Sequence, residues 1–254
     1  MKKICFLLAL ALSGLAAVRA AAAPGVYELR TYTTAPGKLD ALLTRFRDHT
    51  VAIFARHGMT NLAYWVPMDA KDGAGGKLVY LLGFPSRDAA TAAWKAFNAD
   101  PEWQAVRKAS EANGKIVTKV ESVFVAATNY SPAFPVGAEK SPRVFELRTY
   151  TTPEGGLPAL DARFGGGETA LFAKAGMTGV VFTHPLDADK GAGHTLIYLL
   201  AHASREAAAA SWQTFKTDPA WVTMKADSEK AAGGSLTTKT VSMFLTPVDF
   251  SPTK

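Results

Sequence analysis

The seven residues Glu28 to Thr34 read ELRTYTT, and the same seven return at Glu146 to Thr152. Each copy sets an acid, a base and a phenol at alternate positions: Glu28, Arg30 and Tyr32, then Glu146, Arg148 and Tyr150. Alternate residues of a β-strand share one face, with α-carbons about 6.5–7 Å apart, so the glutamate and arginine can bond each other. Shielded from water, such a set could orient a carboxylate or carbonyl group on the guanidinium, with the tyrosine as hydrogen-bond donor. It could equally be a buried ion pair that fixes how two layers register. Tyr80 and Tyr198, at matching places in later apolar strands, complete the ligand-binding candidates.

The histidines are the other chemistry-bearing set, and they do not repeat. His49 and His57 match Gly167 and Ala175, whereas His184, His194 and His202 match Val66, Gly76 and Phe84. His184 ends one expected strand and His194 begins the next, so the two could meet across a hairpin with Asp187 and Asp189 between them, as metal ligands do. Their spacing fits no established ligand pattern, and loop aspartates commonly form turns, so His184 and His194 are weak candidates and no metal is predicted. His202 has the chemistry of an axial haem ligand if it faces a cavity. No cofactor is predicted.

The elements that position these residues come in duplicate. Shifted by 118 residues without a gap, Val26–Glu111 aligns with Val144–Glu229 and roughly half the positions are identical. After a two-residue slip, Asn129-Tyr130-Ser131-Pro132 matches Asp249-Phe250-Ser251-Pro252. The expected division is a signal peptide at 1–23, a first repeat at 24–127, a linker at 128–143 and a second repeat at 144–254.

Within one copy, Val26 to Thr34 alternates as a strand, with Tyr27, Leu29 and Thr31 on one face. Leu39, Leu42, Leu43, Phe46, Ile53 and Phe54 then recur at helical spacing up to Gly58. Two β-rich runs, Met59–Val66 and Leu78–Phe84, flank the turn-rich MDAKDGAGG. Ser86 caps a second helix, Asp100 before Pro101 opens a short third one, and Ile116 to Val125 is the last strand. The order β-α-β-β-α-β is the ferredoxin-like plan. Both alternating sets of Leu78–Phe84 are apolar, so that strand needs cover on both faces. Helices cover one; the sheet of the other copy can cover the second. The expected fold is therefore α+β, two tandem ferredoxin-like repeats packed face to face as an intramolecular α/β barrel. If the other sheet lies over the Glu28–Arg30–Tyr32 face, those charges are partly dehydrated.

Three segments resemble the NIPSNAP family: VYELRTYTTAPGKLDALLTRF, the HGM after the first helix, and WKAFNADPEW. The resemblance spans nearly all of the chain after the leader, once per copy. It implies membership of the dimeric α/β-barrel group, whose members include haem-degrading enzymes, cofactor-free oxygenases of aromatic compounds, chlorite-splitting haem enzymes and small-ligand binders. The haem-degrading relatives use an asparagine on the first strand with a tryptophan and a histidine farther along. Here that strand offers Glu, Arg and Tyr; Asn61, Trp65 and His57 fall near one another in sequence but on a helix end and the second strand. That triad is not carried over.

WKAFNADPEW and its match WQTFKTDPAW read as packing motifs, wedging a helix pair onto the sheet through Trp94, Phe97 and Trp103. Gly165-Gly166-Gly167 replaces Arg47-Asp48-His49, at about 1 kcal/mol per glycine relative to alanine, so the second copy's first helix is expected to break there.

At the N-terminus Lys2 and Lys3 precede an apolar run to Ala17 and small residues to Ala23, the layout of an export signal cleaved between Ala20 and Ala23. Cys5, the one cysteine, lies in it, so a mature chain has no disulfide or thiol chemistry. Losing Lys2, Lys3 and Arg19 takes the formal net charge from +6 to +3, with no basic run that suits nucleic acid and no apolar run long enough to span a bilayer. The expectation is a periplasmic or secreted protein that binds a small, anionic or aromatic ligand in a cavity of the fold. Two alternatives stand beside it: a non-catalytic structural or interaction module, and an enzyme of the oxygenase or haem-related kind. No catalytic constellation is shared by both repeats, and association with a second chain is open.

Overall fold

The computed structural model describes residues 24–135 and 143–254. The expected signal peptide at 1–23 and the middle of the expected linker lie outside the described residues. The first repeat runs β1 (Val26–Thr34), α1 (Leu39–Arg45), a π-helical turn (Phe46–Thr50), α2 (Val51–Arg56), β2 (Thr60–Pro67), β3 (Lys77–Phe84), α3 (Arg87–Ala99), α4 (Pro101–Ser110) and β4 (Val117–Ala127). The second repeats it as β5 (Val144–Thr151), α5 (Leu157–Arg163), a π-helical turn (Phe164–Glu168), α6 (Thr169–Lys174), β6 (Thr178–Pro185), β7 (Thr195–His202), α7 (Arg205–Thr217), α8 (Pro219–Ala231) and β8 (Lys239–Pro247). Among the described residues no helix is long and apolar enough to cross a membrane.

Local chemistry accounts for the boundaries. Ser86 Oγ accepts the Ala89 N–H at 3.1 Å and Ser204 Oγ accepts that of Ala207 at 3.1 Å, closing the first turns of α3 and α7. Asp100 and Asp218 do the same for α4 and α8, each followed by proline at the first helical position. Gly58, at φ 77°, turns the chain out of α2 in a left-handed conformation that a side chain would resist.

Each repeat forms a four-stranded antiparallel sheet with β1 and β3, or β5 and β7, at its centre. The two sheets face one another as expected, but they are also joined at both edges. β2 pairs with β8 through Trp65–Pro67, and β4 pairs with β6 through Val125–Ala127, closing an eight-stranded barrel in the order β1-β3-β2-β8-β5-β7-β6-β4. The seams are short because proline ends β2, β6 and β8 and cannot donate to a ladder.

The chain after each last strand crosses to the other repeat. Ser131 Oγ accepts the Phe182 N–H at 3.0 Å, and Ser251 Oγ accepts the Tyr64 N–H at 2.9 Å. Tyr130 packs on Phe164 and Phe182, and Phe250 on Tyr64. Phe134, in the segment expected to be linker, is buried in the barrel core. Paired clamps reinforce the exchange: Arg87 forks onto Asp187 at 3.0 and 3.2 Å, and the matching Arg205 forks onto Asp69 at 2.7 Å through both nitrogens.

Three cores result. The barrel interior is filled by Leu62, Trp65, Val79 and Leu81 from the first repeat and their counterparts Val180, Ile197 and Leu199 with Leu245 from the second. Two outer cores, around Phe46, Phe54 and Tyr80 and around Phe164, Phe172 and Tyr198, lie between each sheet and its own helices.

One expectation is reversed by this layout. Tyr27 and Leu29 point into the barrel, toward the other sheet, while Glu28, Arg30 and Tyr32 lie beneath the helices of their own repeat. The apolar face goes where no donor could reach a charge, and the polar face goes where α3 supplies an indole N–H. The glycine expectation also changes. The π-helical turn occurs in both repeats, so Gly165–Gly167 does not cause it; Gly167, at φ 137°, adds a kink in the second repeat only.

Candidate functional site

β1 is central, so its polar face is closed in by β3 and β4 on either side and by α3 above. Glu28 is 1% exposed. One carboxylate oxygen accepts from Ser122 Oγ on β4 at 2.5 Å and from Arg30, and the other accepts from Trp94 Nε1 on α3 at 2.6 Å. Arg30 in turn donates from Nε to Tyr80 Oη at 2.9 Å, reaches Tyr32 Oη at 3.4 Å, and lies 4.2 Å from the centre of the Trp94 ring. The second repeat duplicates this network. Glu146 accepts from Arg148, from Ser242 at 2.6 Å and from Trp212 at 2.7 Å, and Arg148 donates to Tyr198 at 2.9 Å and to Tyr150 at 3.1 Å. Thus all eight candidates chosen from the sequence fall into two matching clusters of four.

Burial alone would lower the basicity of Arg30 and Arg148. The phenol oxygens of the tyrosine pair and the charge of the glutamate around each outweigh it, and both guanidinium groups are held above the ordinary arginine range. Burial likewise would raise Glu146, but the hydrogen bond from His202, the Arg148 charge and the bonds from Ser242 and Trp212 bring it down to about 2. The Glu146 carboxylate is therefore an ionised acceptor met by four donors, a poor arrangement for a proton-transferring group.

His202 does not face a cavity. It is buried with its Nε2 at 3.2 Å from Glu146 Oε2, which assigns the proton to that nitrogen, while Nδ1 has no partner among the described residues. Its counterpart Phe84 makes no such bond, so the second cluster has one extra donor. His184 and His194 do not form a pair: His184 Nε2 lies 3.0 Å from Asp161 Oδ1, and Tyr130 donates to the same oxygen at 2.6 Å. Asp187 is taken by Arg87 and Asp189 by Lys190. Among the described residues no three histidine, cysteine or acidic side chains are grouped for a metal ion. Asn61, Trp65 and His57 also diverge: Asn61 bonds Tyr64 and the Val51 carbonyl, Trp65 enters the barrel, and His57 meets Asp100 at 2.7 Å.

The barrel interior leaves a void of only about 20 Å³, lined mainly by apolar side chains with Thr183 and Tyr198 among them, and so offers no room for a metabolite. Space exists instead in several surface hollows, one of them at the open end of the first outer core. A cleft of about 470 Å³ there receives Arg30, Arg45, Arg107, Lys115 and Lys119, with Trp94 and Trp103 on its wall. Glu111 is the acid among its lining residues. Four of these cations, Arg45, Arg107, Lys115 and Lys119, went unnoticed in the sequence. Arg45 ends an ordinary-looking amphipathic helix, and Arg107 sits on a solvated helix face; only their equivalents Arg163 and Lys225 in the second copy mark both positions as basic twice.

The NIPSNAP family model matches residues 27–132 and 145–252. The chain belongs to the NIPSNAP family. Its fold is shared with a monooxygenase candidate from Lactobacillus acidophilus NCFM, 10% identical with a TM-score of 0.56, the match covering 89% of this chain and 94% of that one. An anthrone oxidase-like protein is 17% identical with a TM-score of 0.55, over 89% of this chain and 93% of its own. An uncharacterized NIPSNAP domain protein from Burkholderia xenovorans is 21% identical over 42% of this chain and 98% of that one, with a TM-score of 0.37. For the first two the likeness is one of fold. No curated protein matches in sequence. This NIPSNAP chain thus carries two buried ion-pair networks and, beside the first, an open cationic cleft.

Proposed function

We propose that this NIPSNAP protein is exported and binds a small anionic ligand with an aromatic or planar body in the cleft of its first repeat. The observation that carries the reading is the convergence of five cations and two tryptophans on one hollow of about 470 Å³, a volume suited to a small metabolite. Arginine forks match carboxylate geometry, and the indole faces offer stacking surface for a flat body. The Glu28–Arg30 pair serves as the floor: with its nitrogens already bonded to Glu28, Tyr80 and Tyr32, Arg30 lends charge rather than free donors. This revises the expected role of Arg30 and Arg148 as direct anion anchors. It also gives the structural alternative its share, since the two networks tie each sheet to its helix whether or not a ligand is present. No reaction is proposed.

Titration with 2-naphthoate tests the reading. Wild-type protein should bind it, and the double variant Arg107→Ala/Lys115→Ala, at two exposed positions, should bind at least tenfold more weakly with an unchanged circular dichroism spectrum. Unaltered binding in that variant would remove the cleft as the site. Export is checked by N-terminal sequencing of protein from its own host, which should begin just after one of Ala20 to Ala23.

A further inference from the structure

The two repeats differ in how they answer the arginine at the end of their first helix. Arg163 and Glu168 are both buried, and Arg163 Nε donates to Glu168 Oε2 at 2.8 Å. In the first repeat Thr50 occupies the position of Glu168, and its hydroxyl is turned back to the Arg45 carbonyl at 3.1 Å. Arg45 is 4% exposed, and its Nε has no hydrogen-bond partner among the described residues. Among the described residues its Nη1 donates to Ser110 Oγ at 3.2 Å and to Glu111 Oε1 at 3.3 Å, both at the far end of the ordinary range. In the second repeat the matching acid, Glu229, is bonded to Lys225 instead. A buried guanidinium with an unmet N–H is costly, and the shortfall is largest where a charged donor is left without an acceptor. Arg45 also lines the cationic cleft described above.

Resting on the cleft reading, we propose that the carboxylate of the ligand seats on Arg45 in the place that Glu168 fills for Arg163, so the chain holds one open site and one site stoppered by its own side chain. Glu168 is then an internal mimic of the ligand. A carboxylate on Arg45 receives the Nε–H that lacks a partner, as Glu168 receives that of Arg163. The ligand's remaining body extends toward Trp103, whose ring already lies 5.3 Å from the Arg45 guanidinium carbon.

Residue exchange between the repeats tests this, because each substituted side chain already exists at the homologous place. Binding of 2-naphthoate is measured by calorimetry, with thermal unfolding as the control for folding. Wild type should bind one molecule per chain. Thr50→Glu should weaken binding at least tenfold, and Glu168→Thr should raise the stoichiometry to two. The double exchange should restore one. If wild type binds and Arg107→Ala/Lys115→Ala weakens it, while neither Thr50→Glu nor Glu168→Thr changes affinity or stoichiometry, the cleft stands and the seat on Arg45 is overturned. If wild type does not bind, both readings fall. Should Thr50→Glu not fold, the stoichiometry of Glu168→Thr decides alone: two supports the stopper, and one overturns it.

Discussion

Both repeats bury a glutamate under a tryptophan and pair it with an arginine two residues on, yet they part company around that shared frame. The first repeat surrounds Glu28 with three donors and leaves Arg45 short of one acceptor; the second adds His202 to its glutamate and gives Arg163 a buried carboxylate of its own. What is held in common is what links sheet to helix. Of the two differences, the one at Arg45 lies at the cleft, while His202 is buried beside Glu146 away from it.

The largest effect should come from the common frame. Glu28→Ala or Glu146→Ala leaves a buried arginine without its counter-charge, which costs about 3–5 kcal/mol and should appear as a fall in the urea midpoint. Similar losses in both repeats would confirm that the network is structural; a loss in one alone would break the equivalence. The next effect separates the repeats by pH. Burial raises Glu168 from 4.5 to about 7 in the folded chain despite Arg163, whereas Glu146 falls to about 2. Between pH 4.5 and 7 the folded state keeps the Glu168 proton that the unfolded state has released, so stability falls as pH rises, by about 3 kcal/mol in all. Glu168→Gln should flatten that window. The Glu146 contribution has the opposite sign: it is present above pH 4.5 and lost as pH drops toward 2.

Smaller effects sharpen the comparison. Trp94→Phe removes an N–H donor to a buried carboxylate and should cost about 1.5–3 kcal/mol. Trp212→Phe should cost less, because His202 still donates to the same oxygen of Glu146. Equal costs would show that the histidine contributes nothing. The least effect is expected at the exposed clamps: Arg87→Ala and Arg205→Ala should each move the urea midpoint slightly, with a difference that vanishes in high salt.

Much of this architecture could be read from the residues, and the misses have particular causes. The repeated string located β1 and β5, and the doubly apolar β3 correctly required cover on both faces. Alternation, however, separates two faces without saying which lies inside, and a charged face looked suited to a sheet interface until Trp94 and Ser122 arrived as partners from positions 66 and 94 residues away. The edge pairing of β2 with β8 and β4 with β6 was invisible for the same reason, since nothing local marks which strand another repeat will meet. Glu168 sat beside three glycines and was overshadowed by them. Its importance lies in one bond to Arg163, and only the substitution of threonine at the matching place hints at it.

The exchanged tails and closed ring have a consequence for how such a molecule can change. Were two identical chains to close the same ring, every substitution would strike both halves at once, and a stopper in one cleft would stop the other. Covalent joining lifts that constraint: here one half is free to keep its guanidinium hungry while its twin feeds it permanently. Fusion thus supplies asymmetry to a shape that symmetry built.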